Sequence, residues 1–353
     1  MTKAFEESLS LFKDKISDCI KSKKSISITT HIDCDGLTSG SIIAKALIRE
    51  GAKYTLRTSK EFSKNVVESF KTDSRDFHII TDLGGGFGKD LNQTLGDNWI
   101  ILDHHQISEE EKDNQNIINA WKYEIDGGTE ISAGGMAYFA ATALNEKNSD
   151  LSEIAIVSAL GDRQDQGDKK SFTGKNFEIA NTAKELGLVD IDLDLLLVGR
   201  ETRPLAEALA FTSQPFIEGL TWNKETCLSV LNSSGIQLKE EGRWRVPAEL
   251  NEDEKKAVIE SITKFSSDKN TSEIMSELIG YTYTFPKEDK RSFLRDGREY
   301  STMLNSCGRI NRSGVGMAIC MGDRNRILTE GENILTDYRK MIKEYMNILS
   351  NER

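Results

Sequence analysis

Ile26-Ser27-Ile28-Thr29-Thr30, running directly into His31-Ile32-Asp33-Cys34-Asp35-Gly36, is the stretch that decides the fold. Four of the first five residues are β-branched, which suits a buried strand. The strand ends in a polar cluster, and a helix is predicted from about Leu37 to Arg49. The same grammar recurs downstream. His78-Ile79-Ile80-Thr81-Asp82 is a strand stopped by Gly84-Gly85-Gly86, and Trp99-Ile100-Ile101-Leu102-Asp103 is a strand stopped by His104-His105. A further strand is expected at Tyr54–Arg57, with helices at 4–22, Phe62–Phe70, Ser132–Leu144 and Leu151–Leu160. The first helix carries Phe5, Leu9, Phe12, Ile16 and Ile20 at helical spacing. Strands alternating with helices imply an α/β domain on a largely parallel sheet with helices on both faces. Ligands of such sheets sit beyond the carboxyl ends of the strands. Three acidic clusters fall at those ends.

Beyond residue 190 the pattern changes. Asp192–Val198 and Leu205–Phe211 read as helices, Glu252–Phe265 as a polar-faced helix and Ser266–Ser272 as a solvated linker. Tyr281–Phe285 and Val315–Met321 read as strands, Tyr300–Ile310 and Glu332–Leu349 as helices. The expected division is a first domain over 1–190, a helical connector over 191–270 and a smaller α+β C-terminal segment over 271–353.

The clusters carry the chemistry. In His31-x-Asp33-x-Asp35-Gly36, alternate residues leaving a strand point the same way and can converge on one point. Gly36 then lets the chain turn tightly into the helix. By itself this cluster reads equally as a polar loop with Asp35 near a helix cap. Asp82 before glycines is a common turn, and Asp162 in Gly161-Asp162-Arg163-Gln164-Asp165 could merely cap a helix. Asp103-His104-His105 is denser in donors. The chain holds four histidines, and three of them, His31, His104 and His105, lie in these clusters. His78, at a strand start, is assigned a structural role. Carboxylates with imidazoles suit Mn²⁺ or Mg²⁺ better than a thiolate-seeking metal. Two such cations ~3.5–4 Å apart polarise a phosphoryl group and generate hydroxide from water. Asp82 is the natural carboxylate to bridge them.

Composition narrows the alternatives. The net charge is −11, which argues against a broad basic face for nucleic acid but not against a local groove beside bound cations. The five cysteines, Cys19, Cys34, Cys227, Cys307 and Cys320, form no C-x-x-C pair, so a zinc ribbon is not expected and free thiols are. No apolar run approaches the ~18 residues of a membrane span, and the N-terminus lacks the form of a signal peptide. These features predict a cytoplasmic protein without membrane association.

His31-x-Asp33-x-Asp35-Gly36, Asp82, Asp103-His104-His105 and Gly161-Asp162 resemble, in order and spacing, the four successive motifs of the DHH superfamily phosphoesterases over residues 25–165. The archaeal RecJ-like single-strand-specific exonucleases, a group that includes nucleases associated with the GINS replication complex, are the nearest in pattern. The resemblance implies a DHH domain with a two-metal site. Asp33 and Asp82, helped by His31, would hold one cation. Asp35, Asp82, His104 and Asp162 would hold the second. Asp103 would orient these ligands or bind directly, and His105 would hydrogen-bond the scissile phosphate. Asp103, His104 and His105 are thus the expected catalytic group. Every acidic motif position is occupied, whereas relatives that became silent helicase subunits have lost several, so a competent enzyme is expected.

Asn305-Ser306-Cys307-Gly308-Arg309 and Arg312-Ser313-Gly314-Val315-Gly316 form a Gly-rich basic segment. His105, Arg309, Arg312, Gly314 and Gly316 are the expected phosphate contacts, with Arg200 and Arg203 either on the same groove or at a solvated helix end. The alternative is an ordinary strand-entry turn; the phosphate reading is preferred because similar segments occur in the archaeal RecJ-like group. The resemblance also implies a terminal DHH-associated domain with a Gly-Gly-Gly-His signature. That tetrapeptide is absent here, which reads as a shortened or split member, or a fragment.

The function expected is Mn²⁺- or Mg²⁺-dependent hydrolysis of phosphodiester bonds in single-stranded DNA or RNA, in replication or repair. The alternatives are a phosphodiesterase for oligonucleotides or cyclic dinucleotides, a pyrophosphatase, or a GINS-binding replication scaffold with little activity.

Overall fold

The computed structural model describes residues 2–266 and 271–351. The chain forms two compact units. The first comprises Met1–Asp165, Phe172–Leu186 and Ser301–Arg353; the second comprises Gln166–Ser171 and Gly187–Tyr300. The segment 271–353, read from sequence as one region, is therefore shared between the two units.

The first unit opens with α1 (Lys3–Lys21), β1 (Ser25–His31), α2 (Cys34–Arg49), β2 (Lys53–Ser59), α3 (Lys64–Phe70), β3 (Phe77–Thr81), α4 (Gly88–Leu95), β4 (Trp99–Asp103) and β5 (Ile117–Asn119). It continues with α5 (Ala133–Leu144), α6 (Ser152–Gly161) and α7 (Gly174–Glu185). The five strands pair in parallel in the order β2-β1-β3-β4-β5. β1 is thus a switch point: the chain leaves it towards β2 and returns on its other side as β3. Right-handed crossovers then place the two sets of helices on opposite faces and open a crevice between the ends of β1 and β3.

Packing bears this out. Val67 and Phe70 of α3 and Leu91 of α4 cluster with Ile80, Trp99, Ile101 and Ile117 on one face. On the other, Ser39 of α2 donates to Thr81 Oγ1 at 2.9 Å, and Thr81 to Thr30 Oγ1 at 2.8 Å. β3 and β4 are buried on both faces and so read as continuous apolar runs rather than alternating ones. In α1 the buried stripe is Phe5, Leu9, Phe12, Ile16 and Cys19; Ile20, expected in it, is only half-buried.

The second unit contains β6 (Asp190–Leu195), α8 (Leu205–Phe211), α9 (Lys224–Ser233), the short antiparallel pair β7 (Lys239–Glu240) and β8 (Arg243–Trp244), α10 (Glu252–Ser266), α11 (Thr271–Leu278) and β9 (Ile279–Thr284). β6 and β9 pair antiparallel. Leu205, Leu209, Leu220, Leu231, Val258 and Ile262 form its core. The linker expected at 266–272 lies partly, at 267–270, outside the described residues; α11 already begins at Thr271. Asp192–Val198, expected as a helix, is largely the strand β6. Its Asp-Ile-Asp-Leu-Asp-Leu sequence alternates with period two, and that periodicity overrides the helix preference of leucine. Arg200 is neither a groove residue nor a solvated one: its guanidinium meets buried Asp194 at 2.8 Å, and Arg203 lies over the Phe211 ring.

α12 (Gly297–Arg309), α13 (Ser313–Cys320) and α14 (Arg326–Asn351) complete the chain, which rejoins the first unit from Ser301 onward. Val315–Met321, expected as a strand, is mostly α13. Its buried residues, Ser313, Val315, Gly316, Ile319 and Cys320, follow helical spacing, and a short apolar run cannot by periodicity be told from a strand. α13 packs on α2 and α14. No helix among the described residues is long and apolar enough to cross a membrane. All five cysteines are free and buried.

Candidate metal centre

The four sequence clusters meet at the switch point. Oxygen and nitrogen atoms able to ligate a cation gather in three overlapping groups: His31, Asp33 and Asp82; Asp35, His104 and Asp162; and Asp82, Asp103, His104 and His105. The overlap at Asp82 and His104 makes these one continuous cluster.

β1 delivers the first set. Asp33, not Asp35, caps α2, its carboxylate accepting from Gly36 N at 3.0 Å. Gly36 has an ordinary helical place, and what requires glycine is proximity: a Cβ there would lie 2.4 Å from His31 O. Asp35, in the first turn of the helix, reaches across to the N-terminus of α5, accepting from Ala133 N at 2.8 Å and Gly134 N at 3.0 Å, and from Ser158 Oγ. Amides at a helix start are matched to a carboxylate. This anchoring fixes Asp35 by a segment far away in sequence. His31 Nδ1 lies 2.9 Å from Asp33 Oδ2 and 3.6 Å from Asp82 Oδ2. The hydrogen bond to Asp33 raises the His31 pKa to about 10.

β3 and β4 deliver the rest. Asp82 has a left-handed backbone, φ 64°, and is 3% exposed. Such a conformation on a non-glycine residue carries strain that clusters at functional sites. Burial, then the Asp35 charge, raises the Asp82 carboxyl to about 7, and the same two causes raise Asp162, at the end of α6, to about 6. Asp103 Oδ1 accepts from His104 N, His105 N and His105 Nδ1, the last at 2.8 Å. Burial works against its charge, but these donors keep the Asp103 carboxyl below its ordinary range. His105 is thereby oriented while its side chain stays 60% exposed.

His104 is 4% exposed. Its Nδ1 donates to Gly127 O at 2.6 Å, which leaves Nε2 facing Asp35 Oδ2 at 3.2 Å and Asp82 Oδ1 at 3.4 Å. Burial opposes a charge on this ring, yet Asp35 and Asp82 hold it protonated well above its ordinary range. Nε2 and Asp82 Oδ2 are buried without a hydrogen-bond partner among the described residues. Buried polar atoms are almost always satisfied, and a divalent cation satisfies both kinds at once. The donor set therefore fits hard cations bound by oxygen and imidazole.

Sequence reasoning placed all of His31, Asp33, Asp35, Asp82, Asp103, His104, His105 and Asp162 here. It missed Gln164, quoted in the fourth cluster but given no role, and it assigned Asn305 and Gly308 to a phosphate segment. Asn305 Oδ1 accepts from Cys34 N at 2.9 Å, and a Cβ on Gly308 would lie 1.7 Å from Ile32 O. Both residues brace the loop after β1. Of the expected phosphate contacts in this segment, Arg309, Arg312 and Gly314 are exposed, and Arg312 pairs with Glu330. Gly316 is buried, with Leu37 and Cys307 closing its space.

A family model described as the DHH family, N-terminal domain, matches residues 25–161, and one described as the DHH-CID domain matches residues 197–279. An uncharacterised protein of Methanocaldococcus jannaschii is 29% identical over 350 residues, spanning 95% of this chain and 74% of that protein. A crystal structure of exonuclease RecJ bound to manganese aligns with a TM-score of 0.55 at 13% identity, covering 98% of this chain and 68% of that one. CDC45 from Entamoeba histolytica aligns with a TM-score of 0.67 at 15% identity, covering 98% and 74%. At such identities the two structures speak for the fold. The two domain matches, with the motifs gathered at the switch point, show that the chain belongs to the DHH superfamily.

Proposed function

We propose that this protein hydrolyses phosphodiester bonds in single-stranded DNA or RNA as a RecJ-like exonuclease dependent on Mn²⁺ or Mg²⁺, in replication or repair. The observation that supports the reading is the donor set: five carboxylates and three imidazoles, from the ends of β1, β3 and β4, the first turn of α2 and the end of α6, converging around Asp82 and His104. His31, Asp33 and Asp82 would hold one cation; Asp35, His104 and Asp162 would hold the other, with Asp82 between them. Two divalent cations so held draw charge from a phosphoryl group and lower the pKa of water. Asp103 keeps His105 turned with its Nδ1 inward, so the exposed edge of that ring can donate to a phosphate oxygen. Exposed Arg309 and Arg312 of the first unit are the remaining candidates for phosphate contact.

The test is incubation of the purified protein, with and without Mn²⁺, with single strands of DNA and of RNA labelled at either end. A ladder that appears only with Mn²⁺ and vanishes in Asp82→Ala supports the reading. An uncut strand, or a ladder unchanged by Asp82→Ala, overturns it. Faster turnover of a dinucleotide than of a long strand would move the substrate to short oligonucleotides. The scaffold alternative, binding GINS with little cutting, keeps the fold that CDC45 shares but leaves the donor set without a use.

A further inference from the structure

We infer that Gln164 is a positioning residue for the metal centre, aligning Asp162 and His104 through a single buried carboxamide. The inference rests on the metal-centre reading above.

Gln164 is 0% exposed. Its Nε2 donates to Asp162 Oδ2 at 2.7 Å and to Gly127 O at 2.8 Å, with Ile131 O further off at 3.2 Å. Gly127 O is the same carbonyl that receives His104 Nδ1. One amide nitrogen therefore bonds both a candidate ligand and the acceptor that fixes the tautomer of another. The far end of the amide is locked: Gln164 Oε1 accepts from Asn176 Nδ2 at 2.6 Å, and Asn176, on α7, is 2% exposed. With three acceptors around the nitrogen and a donor on the oxygen, only one amide orientation satisfies the network. The backbone contributes too, since Gln164 N closes α6 on Ala159 O at 2.9 Å. Outer partners of this kind orient metal ligands, and losing one costs about 10–100-fold in metal affinity.

Asp162 and His104 share one ligand group with Asp35, whereas His31 and Asp33 belong to another. The expected signature is therefore selective. In a titration of the metal-free full chain, followed by the resonance of unbound Mn²⁺, Gln164→Met should weaken one binding step about tenfold. The other step should stay within about twofold of wild type, because none of its ligands touches Gln164. A general loosening of the fold would weaken both. Asn176→Leu, which frees the amide oxygen without touching any ligand, should weaken the same step to a smaller degree and covers the case in which Gln164→Met does not fold. Unchanged affinity in both variants, or equal loss in both steps, overturns the inference while leaving the metal centre standing. Failure of the wild type to take up Mn²⁺ overturns the metal-centre reading itself.

Discussion

His104 Nε2 stands 3.2 Å from Asp35 Oδ2, with His104 Nδ1 already committed to Gly127 O. Without a cation, this ring can satisfy Asp35 and Asp82 only by holding a second proton. Cation binding must then displace protons, from His104, from Asp82 with its pKa of about 7 and from His31 with its pKa of about 10. Affinity for Mn²⁺ is expected to rise with pH, by at least about tenfold between pH 6 and pH 8. Calorimetry in buffers of different ionisation enthalpy should detect the released protons; enthalpies independent of buffer would contradict it.

The same groups set how stability depends on pH. Asp82 has a raised folded pKa, so the metal-free folded state binds more protons than the unfolded chain between about pH 4 and 7. Its contribution to stability is full below pH 4 and is lost as pH rises through about 7. Mn²⁺ bound at this cluster would offset that loss by neutralising the carboxylates. The rise in melting midpoint on adding Mn²⁺ should therefore be larger at pH 8 than at pH 6. An equal rise at the two pH values would count against it.

Asp103 holds three donors on one oxygen and sets the orientation of His105. Asp103→Ala should lower Mn²⁺-dependent cleavage about 100-fold with the fold retained. Circular dichroism beside end-labelled strand assays checks both halves of the statement.

Gly308→Ala would set a methyl group 1.7 Å from Ile32 O, which neither backbone can accommodate without shifting. A loss of about 1–3 kcal/mol is expected, and the turn after β1 with Asp33, together with the start of α2 carrying Asp35, should move with it. Denaturant midpoints measure the first effect and Mn²⁺ affinity the second. Wild-type values for both would show that α12 does not brace this loop.

In the second unit, Glu249 is pulled down to about 2, chiefly by Arg291 against the cost of burial, with Arg243 assisting. A depressed carboxylate stabilises above its unfolded pKa and ceases to as pH falls through its folded value. Glu249→Gln should destabilise by about 1 kcal/mol at pH 7, a modest figure because the arginines are partly exposed. The difference from wild type should shrink as the pH falls from 5 towards 2, as acid denaturation curves would reveal.

What could be read in advance follows from local rules. Residues Ile26–Thr30, His78–Asp82 and Trp99–Asp103 are strand-forming runs that end in or lead directly into ionisable residues, and a parallel sheet places such endings on one edge, so His31, Asp33, Asp35, Asp82, Asp103, His104 and His105 were legible as a cluster from the order of residues. The helix Ser313–Cys320 was not, because a short apolar run fits helix and strand alike, and the strand Asp190–Leu195 was not, because the helix preference of leucine masks its period-two alternation.

The amino-acid order by itself determined the parallel α/β class and the kind of ion the donors suit, since both depend on residue type and spacing along single segments. Only the tertiary structure decided that α5 holds Asp35, that Gln164 joins Asp162 to the support of His104, and that Asn305 and Gly308 return to the loop after β1. These contacts join segments distant along the chain, and short-range, directional bonds between such segments exist only once packing has brought them within about 3 Å.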